Sequence, residues 1–477
     1  HRDLHLSLRR QRQMCIRDRS IHRQIQQLTK QSLVIPVNCL VIFAFFLGMG
    51  RAVIGQETLT GHFQQVEADI RITGSLSPRI PGGEVVSQKI DVTGKQRYDE
   101  WLNSTNTRSI RQYKAISSAI AIDEYRVRPK FRRQSTLIVT DLNDTRLLLY
   151  SPSGPMTSEE LELINLQGNL LVLYQLLPDA ELETGTTFDA RYMTLAKLLG
   201  IDEVSGGKVT GSVSSLENSI AVLNWTGSIT GAADGVATDI DLIIATQFNT
   251  ATGRFSSVKI RIKENRKTGL ARPGLDVVAN INLKILDVPS TPTIGETLIS
   301  RLDTPPVRGS DRIILRPIAS GFTIYHQRNW TVFVDQPQMC VLRMIKHGEL
   351  VGQCSISRLP NRDSNQPIDV EKFQSGIIGS LGDQFGQVLD RKQYKEGDLH
   401  VIRVAVVGQN GDVPVQWNYY HISNPAGQQA VAVFTFELTN EPLITKHDRS
   451  MVSTFAFKEL PVETPTAQNQ QNTTVRK

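Results

Sequence analysis

From residue 58 to about residue 286, apolar and polar positions alternate with a period of two. FQQVEADIRITG sets Val66, Ala68, Ile70 and Ile72 against charged neighbours, the pattern of a strand buried on one face. EVVSQKIDVTG, SIRQYKAISSAIAIDEYRV, STLIVTDLNDTRLLLYSP, SIAVLNWTGSITG, ATDIDLIIATQFNTATGRFSSVKIRIKE and LDVVANINLKI continue it, with Asn143-Asp144 as a turn. Two stretches depart from the pattern. Thr157-Ser158-Glu159-Glu160 is a capping box, in which the Thr hydroxyl and the Glu160 carboxylate satisfy each other's backbone N–H groups. It opens a short helix to about Gln167, and the apolar run 170–177 follows. A second helix is predicted over 188–199, stopped by Gly200. Residues 56–286 therefore predict a curved antiparallel sheet with helices across its concave side.

A second block follows. Residues 401–436 read VIRVAVVGQ-NG-DVPVQWNYYHIS-NPAG-QQAVAVFTFE, three strands and two reversals. Asn410-Gly411 predicts a type I′ turn, whose two central residues need positive φ, and 424–427 supplies the second reversal. Upstream lie GFTIYH, NWTVFVD and the hairpin MCVLRMIKHGELVGQC, turning near His347-Gly348. Asp369 opens a helix with Val370, Phe373, Ile377 and Leu381 on one face. A short helical turn near 448–454 completes the block. Residues 287–311 hold Pro289, Pro292, Pro305 and Pro306 and read as an interdomain linker. The expected fold class is α+β: two domains, 56–286 and 312–458, each an antiparallel sheet with packed helices, then a disordered tail over 459–477.

The front end alters the charge picture. Residues 1–19 resemble translated sequencing-adapter read-through and are set aside. Residues 20–55 read as a signal peptide: a basic segment, the apolar run 33–49, and a small-residue cleavage pattern at Val53-Ile54-Gly55 with Gln56 as the mature start. An uncleaved anchor is the alternative, the 17-residue run being near the lower limit for a bilayer. Either way, the expected location is extracytoplasmic, periplasmic or secreted. Residues 1–31 carry eight basic and two acidic residues, so the formal charge of +6 falls to zero without them, at 45 of each sign. No nucleic-acid partner is expected from so balanced a body.

Catalytic spacings are missing from the text: no nucleophile elbow, P-loop, dinucleotide fingerprint, H-E-x-x-H or C-x-x-C. No two histidines after residue 55 lie within four positions of each other, so no local metal pair is expected, and no cofactor. His421, after Tyr419-Tyr420, reads as a hydrogen-bonded strand-end histidine. Glu159, Glu160 and Glu162 read as capping and a solvated helix face. Two basic stretches are candidate binding residues. In YRVRPKFRRQ, Arg126, Arg128, Lys130 and Arg132 fall on one face of a strand; in SSVKIRIKENRK, Lys259, Arg261 and Lys263 do the same. Were the two strands neighbours, they would form a basic patch for anionic lipid, polysaccharide or an acidic protein. For Cys340 and Cys354 a disulfide and buried free thiols both stand open. A two-residue turn pairs Cys354 with Val341; a three-residue turn pairs the cysteines directly.

The order Trp330, LVGQCSI, DVEKFQSGIIGSLG, Trp417 with NYYHI, and QAVAVFTFE resembles the PsbP-like α/β/α sandwich over 312–458. That resemblance implies a protein that binds or stabilises other macromolecules without catalysis. Residues 56–286 resemble, more loosely, the LolA/LppX-type half-barrels, periplasmic carriers whose concave sheet shelters acyl chains. The expectation is an exported, non-catalytic bacterial envelope protein that binds a macromolecular partner or cell-surface component. A periplasmic carrier of lipid or another hydrophobic ligand is the alternative, marked by a large apolar cavity under the helices. A hydrolase with residues gathered from separate strands is the third reading.

Overall fold

The computed structural model describes residues 60–458, except 79–83, 270–271, 307–308, 318–320, 338 and 363–368. The signal segment, the residues before it and the tail lie outside the described residues. The described chain is mostly antiparallel β, arranged as one large sheet followed by a second group of sheets.

The large sheet has twelve strands: β1 (Gly61–Ser77), β2 (Gln88–Asn103), β3 (Arg108–Ile122), β4 (Tyr125–Val127), β5 (Leu137–Leu142), β6 (Leu147–Tyr150), β7 (Thr187–Asp189), β8 (Glu203–Glu217), β9 (Ile220–Ala233), β10 (Val236–Asn249), β11 (Arg254–Arg266) and β12 (Gly274–Val288). Their order is β6-β5-β3-β2-β1-β12-β11-β10-β9-β8-β7, with β4 beside β3. Period-two alternation produces the buried face. On β10, Ile240, Leu242 and Ile244 are buried while Asp239, Asp241 and Ile243 are exposed.

Three short helices cover that face: α1 (Ser158–Ile164), α2 (Leu170–Tyr174) and α3 (Tyr192–Leu199). The capping box at Thr157 forms as read, and α3 ends on Gly200 in the left-handed region at φ 67°. Helix α3 starts later than predicted because Phe188 is taken into β7. The space beneath is filled. Leu171, Val172 and Leu173 are wholly buried against Leu223, Trp225, Leu242, Ile244, Val258 and Ile260. A Cβ placed on Gly168, between α1 and α2, would lie 2.1 Å from Ile260 Cδ1, so the loop rests directly on the sheet.

Residues 287–311 do not behave as a free linker. They contain α4 (Glu296–Leu302), which buries Ile299 and Leu302, with Ile294, against Trp101, Ile110, Val139, Leu148 and Tyr150. Those partners occupy the second face of β2, β3, β5 and β6, which would otherwise be bare. The prolines hide this from composition, because three apolar side chains spread over nine residues suffice to anchor the segment.

The second group comprises β13 (Ile313–Leu315), β14 (Phe322–His326), β15 (Trp330–Gln336), β16 (Met339–Lys346), β17 (Glu349–Leu359), α5 (Val370–Leu381), β18 (Phe385–Glu396), β19 (Leu399–Asn410), β20 (Val413–Ser423), β21 (Gln429–Glu437), α6 (Glu441–Val452) and β22 (Ala456–Phe457). Seven of these strands form one sheet, β15-β16-β17-β21-β20-β19-β18; β13, β14 and β22 form a small one. Helix α5 packs Phe373, Ile377 and Leu381 on one face with Val404, Val406 and Trp417. Helix α6 packs Ile444, Met451 and Val452 on the other with Tyr420 and Phe434. Burial on both faces explains why β19 reads as a nearly unbroken apolar run from Val401 to Val407, interrupted by Arg403.

Two turns differ in detail from their prediction. Asn410 pairs with Val413, so the loop is Gly411-Asp412, and of the two only Gly411 has positive φ. Glycine at the first central position is the type II′ arrangement. The last predicted turn, near 448–454, is the end of the longer α6, which begins before Pro442 because proline is tolerated in the first helical turn.

The two groups touch along the connecting segment. The Ile314 N–H donates to the Met156 carbonyl at 2.9 Å, and Arg328 donates to the carbonyl oxygens of Asp311 and Leu149. No helix among the described residues is long and apolar enough to cross a membrane.

Candidate functional site: a cationic cleft beside helix α6

Three elements and one connecting residue meet at the β18 edge of the seven-stranded sheet. Alternation along β18 turns Asp390, Lys392, Tyr394 and Glu396 toward α6, and β19 presents Arg403 opposite Lys392. Arg449, Ser450 and Ser453 come from the last turn of α6 and its end, and Arg312 from just before β13. Together Arg312, Lys392, Tyr394, Glu396, Arg403, Arg449, Ser450 and Ser453 line a cleft of about 430 Å³, within the usual range for small-ligand sites.

Its floor is fixed by a buried polar chain. Arg403, 4% exposed, donates from Nε to the Tyr420 hydroxyl at 3.1 Å and from Nη1 to Asp390 at 2.7 Å. Tyr420 donates to Asp448 Oδ2 at 2.8 Å, and Asn418 Nδ2 donates to the same oxygen at 2.8 Å. Asp448, fully buried on α6, also receives the Arg449 N–H. Burial raises the Asp448 carboxyl above its ordinary value despite these donors, and burial beside Asp448 raises the Tyr420 phenol. Both groups are committed to each other, which makes them a support for Arg403.

The rim is less committed. Lys392 reaches Asp390 at 3.3 Å, whereas Arg312 and Arg449 have no ion pair among the described residues. Nη2 of Arg403, the Tyr394 hydroxyl and the Glu396 carboxylate have no hydrogen-bond partner among them either. Burial, then the nearby Glu396 charge, raises the Tyr394 phenol. Four cations stand against the carboxyls of Glu396, Asp390 and, beneath Arg403, Asp448, an excess of at least one positive charge. The C-terminal end of α6 contributes only about half a negative charge. The cleft is electropositive.

The basic residues singled out from sequence do not converge. Strand β4 is three residues long, so period two ends at Val127. Arg126, Arg128 and Lys130 are exposed, but Arg132 turns inward onto Glu160, with Nε at 2.6 Å and Nη2 at 2.5 Å. Burial alone would raise the Glu160 carboxyl; hydrogen bonds from Arg132 and from the Thr157 and Arg132 backbones bring it below its usual value. Glu160, read as a solvated cap, is therefore a buried anchor. Lys259, Arg261 and Lys263 do share the exposed face of β11, where Lys263 lies directly across from Asp241. Strands β3, β2, β1 and β12 separate β4 from β11, about 24 Å at ~4.8 Å per step. No joint patch forms.

Cys340 and Cys354 are free buried thiols rather than a disulfide. The hairpin has the two-residue turn His347-Gly348, both at positive φ, but a bulge after Met344 moves the register by one. Cys354 consequently faces Leu342, and Cys340 faces Ile356. Burial pushes the Cys340 thiol up to about 12. His421 donates to or accepts from Gln429 at 3.1 Å and packs on Phe373 beneath α5. No group of three or more metal-binding side chains occurs among the described residues.

Sequence reasoning missed the cleft because its residues span positions 312 to 453. Two signals were present: DRKQYKE alternates polar types on an edge strand, and Asp448 interrupts the apolar face of α6.

No family model matches the chain, and no curated protein matches it. Among solved structures, a cyanobacterial PsbP from Synechocystis is 14% identical over 33% of this chain and 99% of that one, at a TM-score of 0.24. A Bacteroides thetaiotaomicron protein is 11% identical over 31% of this chain and 48% of its own, at 0.23. Lipovitellin is 11% identical over 48% of this chain and 25% of its own, at 0.28. The first of these aligns along nearly its whole length, the other two along less than half of theirs, and the likeness of fold is weak in all three.

Proposed function

We propose that this is an exported, non-catalytic envelope protein built from two α+β units, which holds an anionic group of a macromolecular partner or cell-surface component in the α6 cleft. One observation carries the reading: Arg312 and Arg449 stand without ion pairs over an Arg403 braced by Tyr420 and Asp390. Leaving cations unpaired at a concave site costs stability through mutual repulsion, and an anion relieves it. Arginine forks suit planar or tetrahedral oxyanions. The supporting groups are buried and already hydrogen-bonded, which favours holding over proton transfer.

The carrier alternative is less well supported, since Leu171, Val172 and Leu173 fill the space where acyl chains would lie. Calorimetric titration of the whole protein with inorganic phosphate and galacturonate at low salt tests the binding reading. At least one anion should bind, and Arg312→Gln with Arg449→Gln should weaken it about tenfold or more. Absence of any heat with both anions rejects it.

A further inference from the structure

The cleft is not a simple anion trap. Glu396 lines it as an acceptor without a protein partner, and Tyr394, Ser450 and Ser453 add hydroxyl groups. A bare phosphate or sulfate would use the arginines and leave Glu396 both unpaired and repelled. A ligand that displaces water from the half-buried Glu396 carboxylate has to offer it a donor in return, a hydroxyl or an ammonium. An ammonium-carboxylate zwitterion would supply that donor but no net charge, and so would leave the excess positive charge uncompensated. A ligand with one carboxylate beside several neutral hydroxyls meets both demands. Tyr394 adds a ring half-buried against the core, a rigid wall for the apolar face of a sugar. Lys392, Arg449 and Ser453 are exposed, so the cleft is open and a longer chain can pass through it.

We infer that the cleft recognises an acidic sugar residue of the hexuronate class, its carboxylate on Arg312, Arg403 and Arg449 and its ring hydroxyls on Glu396 and Ser450. This rests on the proposed anion-binding role of the same site. The experiment compares galacturonate, galactose and inorganic phosphate as probes on the whole protein, wild type and Glu396→Gln, with Arg449→Gln as the variant that removes charge. Galacturonate should bind about tenfold more tightly than either other probe. Glu396→Gln should weaken galacturonate about fivefold and tighten phosphate by removing the repulsion, whereas Arg449→Gln should weaken both. Folding of each variant is verified by an unchanged amide spectrum away from the cleft. Phosphate binding as tight as galacturonate, or galacturonate affinity untouched by Glu396→Gln, overturns the sugar assignment and leaves anion binding standing. Equal binding of galactose and galacturonate overturns the charge argument. No binding of either anion removes both readings.

Discussion

Single residues in this protein owe their roles to partners distant in sequence. Arg132 belongs to a run of alternating cations, yet it alone is drawn in, because Glu160 is buried and needs a donor. Arg132→Gln should therefore lower stability by about 1–3 kcal/mol, by leaving a buried carboxylate short of donors. Arg126→Gln, Arg128→Gln and Lys130→Gln should each stay within about 0.5 kcal/mol. Urea unfolding of the four variants makes the comparison, and equal effects would return Arg132 to the surface. His421 carries a second expectation. Burial pushes its imidazole down to about 4, with Gln429 opposing that shift in part. In the unfolded chain the ring protonates near 6.5, so stability is lost as pH falls from about 6.5 toward 4 and levels off below. Asp448 moves the other way: its raised carboxyl favours the folded state at low pH and loses that advantage as pH rises through its folded value. The difference between wild type and His421→Gln isolates the histidine. The variant should lack up to about 3 kcal/mol of the pH 7 to pH 4 loss; parallel melting curves would contradict the buried, neutral ring.

At the level of elements, sheet edges and hairpin register are the informative features. The seven-stranded sheet ends in β15 and β18, and both carry bulges: one at Phe333, and two on β18, the second at Leu389. Phe333 and Leu389 both face outward, each 47% exposed, and Arg343 stacks 3.8 Å from the Phe333 ring centroid. Bulges twist an edge and interrupt its ladder, which discourages strand addition by another molecule. The large sheet ends instead in the short strands β6 and β7, four and three residues long. Register on β16–β17 sets the chemistry of the cysteines. Unfolded without reductant, the chain should react with a thiol reagent at both Cys340 and Cys354, while the native protein should react at neither. Labelling only after reduction would mean a disulfide. Strand positions were legible beforehand because a period of two survives any pairing. The bulge after Met344 was not, since an irregular ladder is selected by what packs on it.

For the molecule as a whole, the segment from Asp287 to Leu315 joins the two groups of sheets by packing onto both. Arg328 reaches from the second group to the Leu149 and Asp311 carbonyls, and Arg146 meets Asp311 at 3.4 Å. Arg328→Ala should loosen this junction, seen as faster proteolysis within 303–312 and as earlier separation of the melting of the two groups in calorimetry. An unchanged digestion pattern would show that the Met156–Ile313 bridge and the Arg146–Asp311 pair hold the junction without Arg328. Local pattern by itself, hydrophobic periodicity and polar cap residues together, determined the strands, the capping box at Thr157, the Asp369 cap and the sidedness of α5, since each depends on residues within a few positions of one another. Only the tertiary structure decided that Arg132 points inward, that the proline-rich stretch is an anchored helix, that the two cysteines miss each other, and that Arg312, Arg403, Glu396 and Arg449 share a cleft. Those outcomes depend on which strands lie side by side, and that choice is made by burial summed over the whole chain.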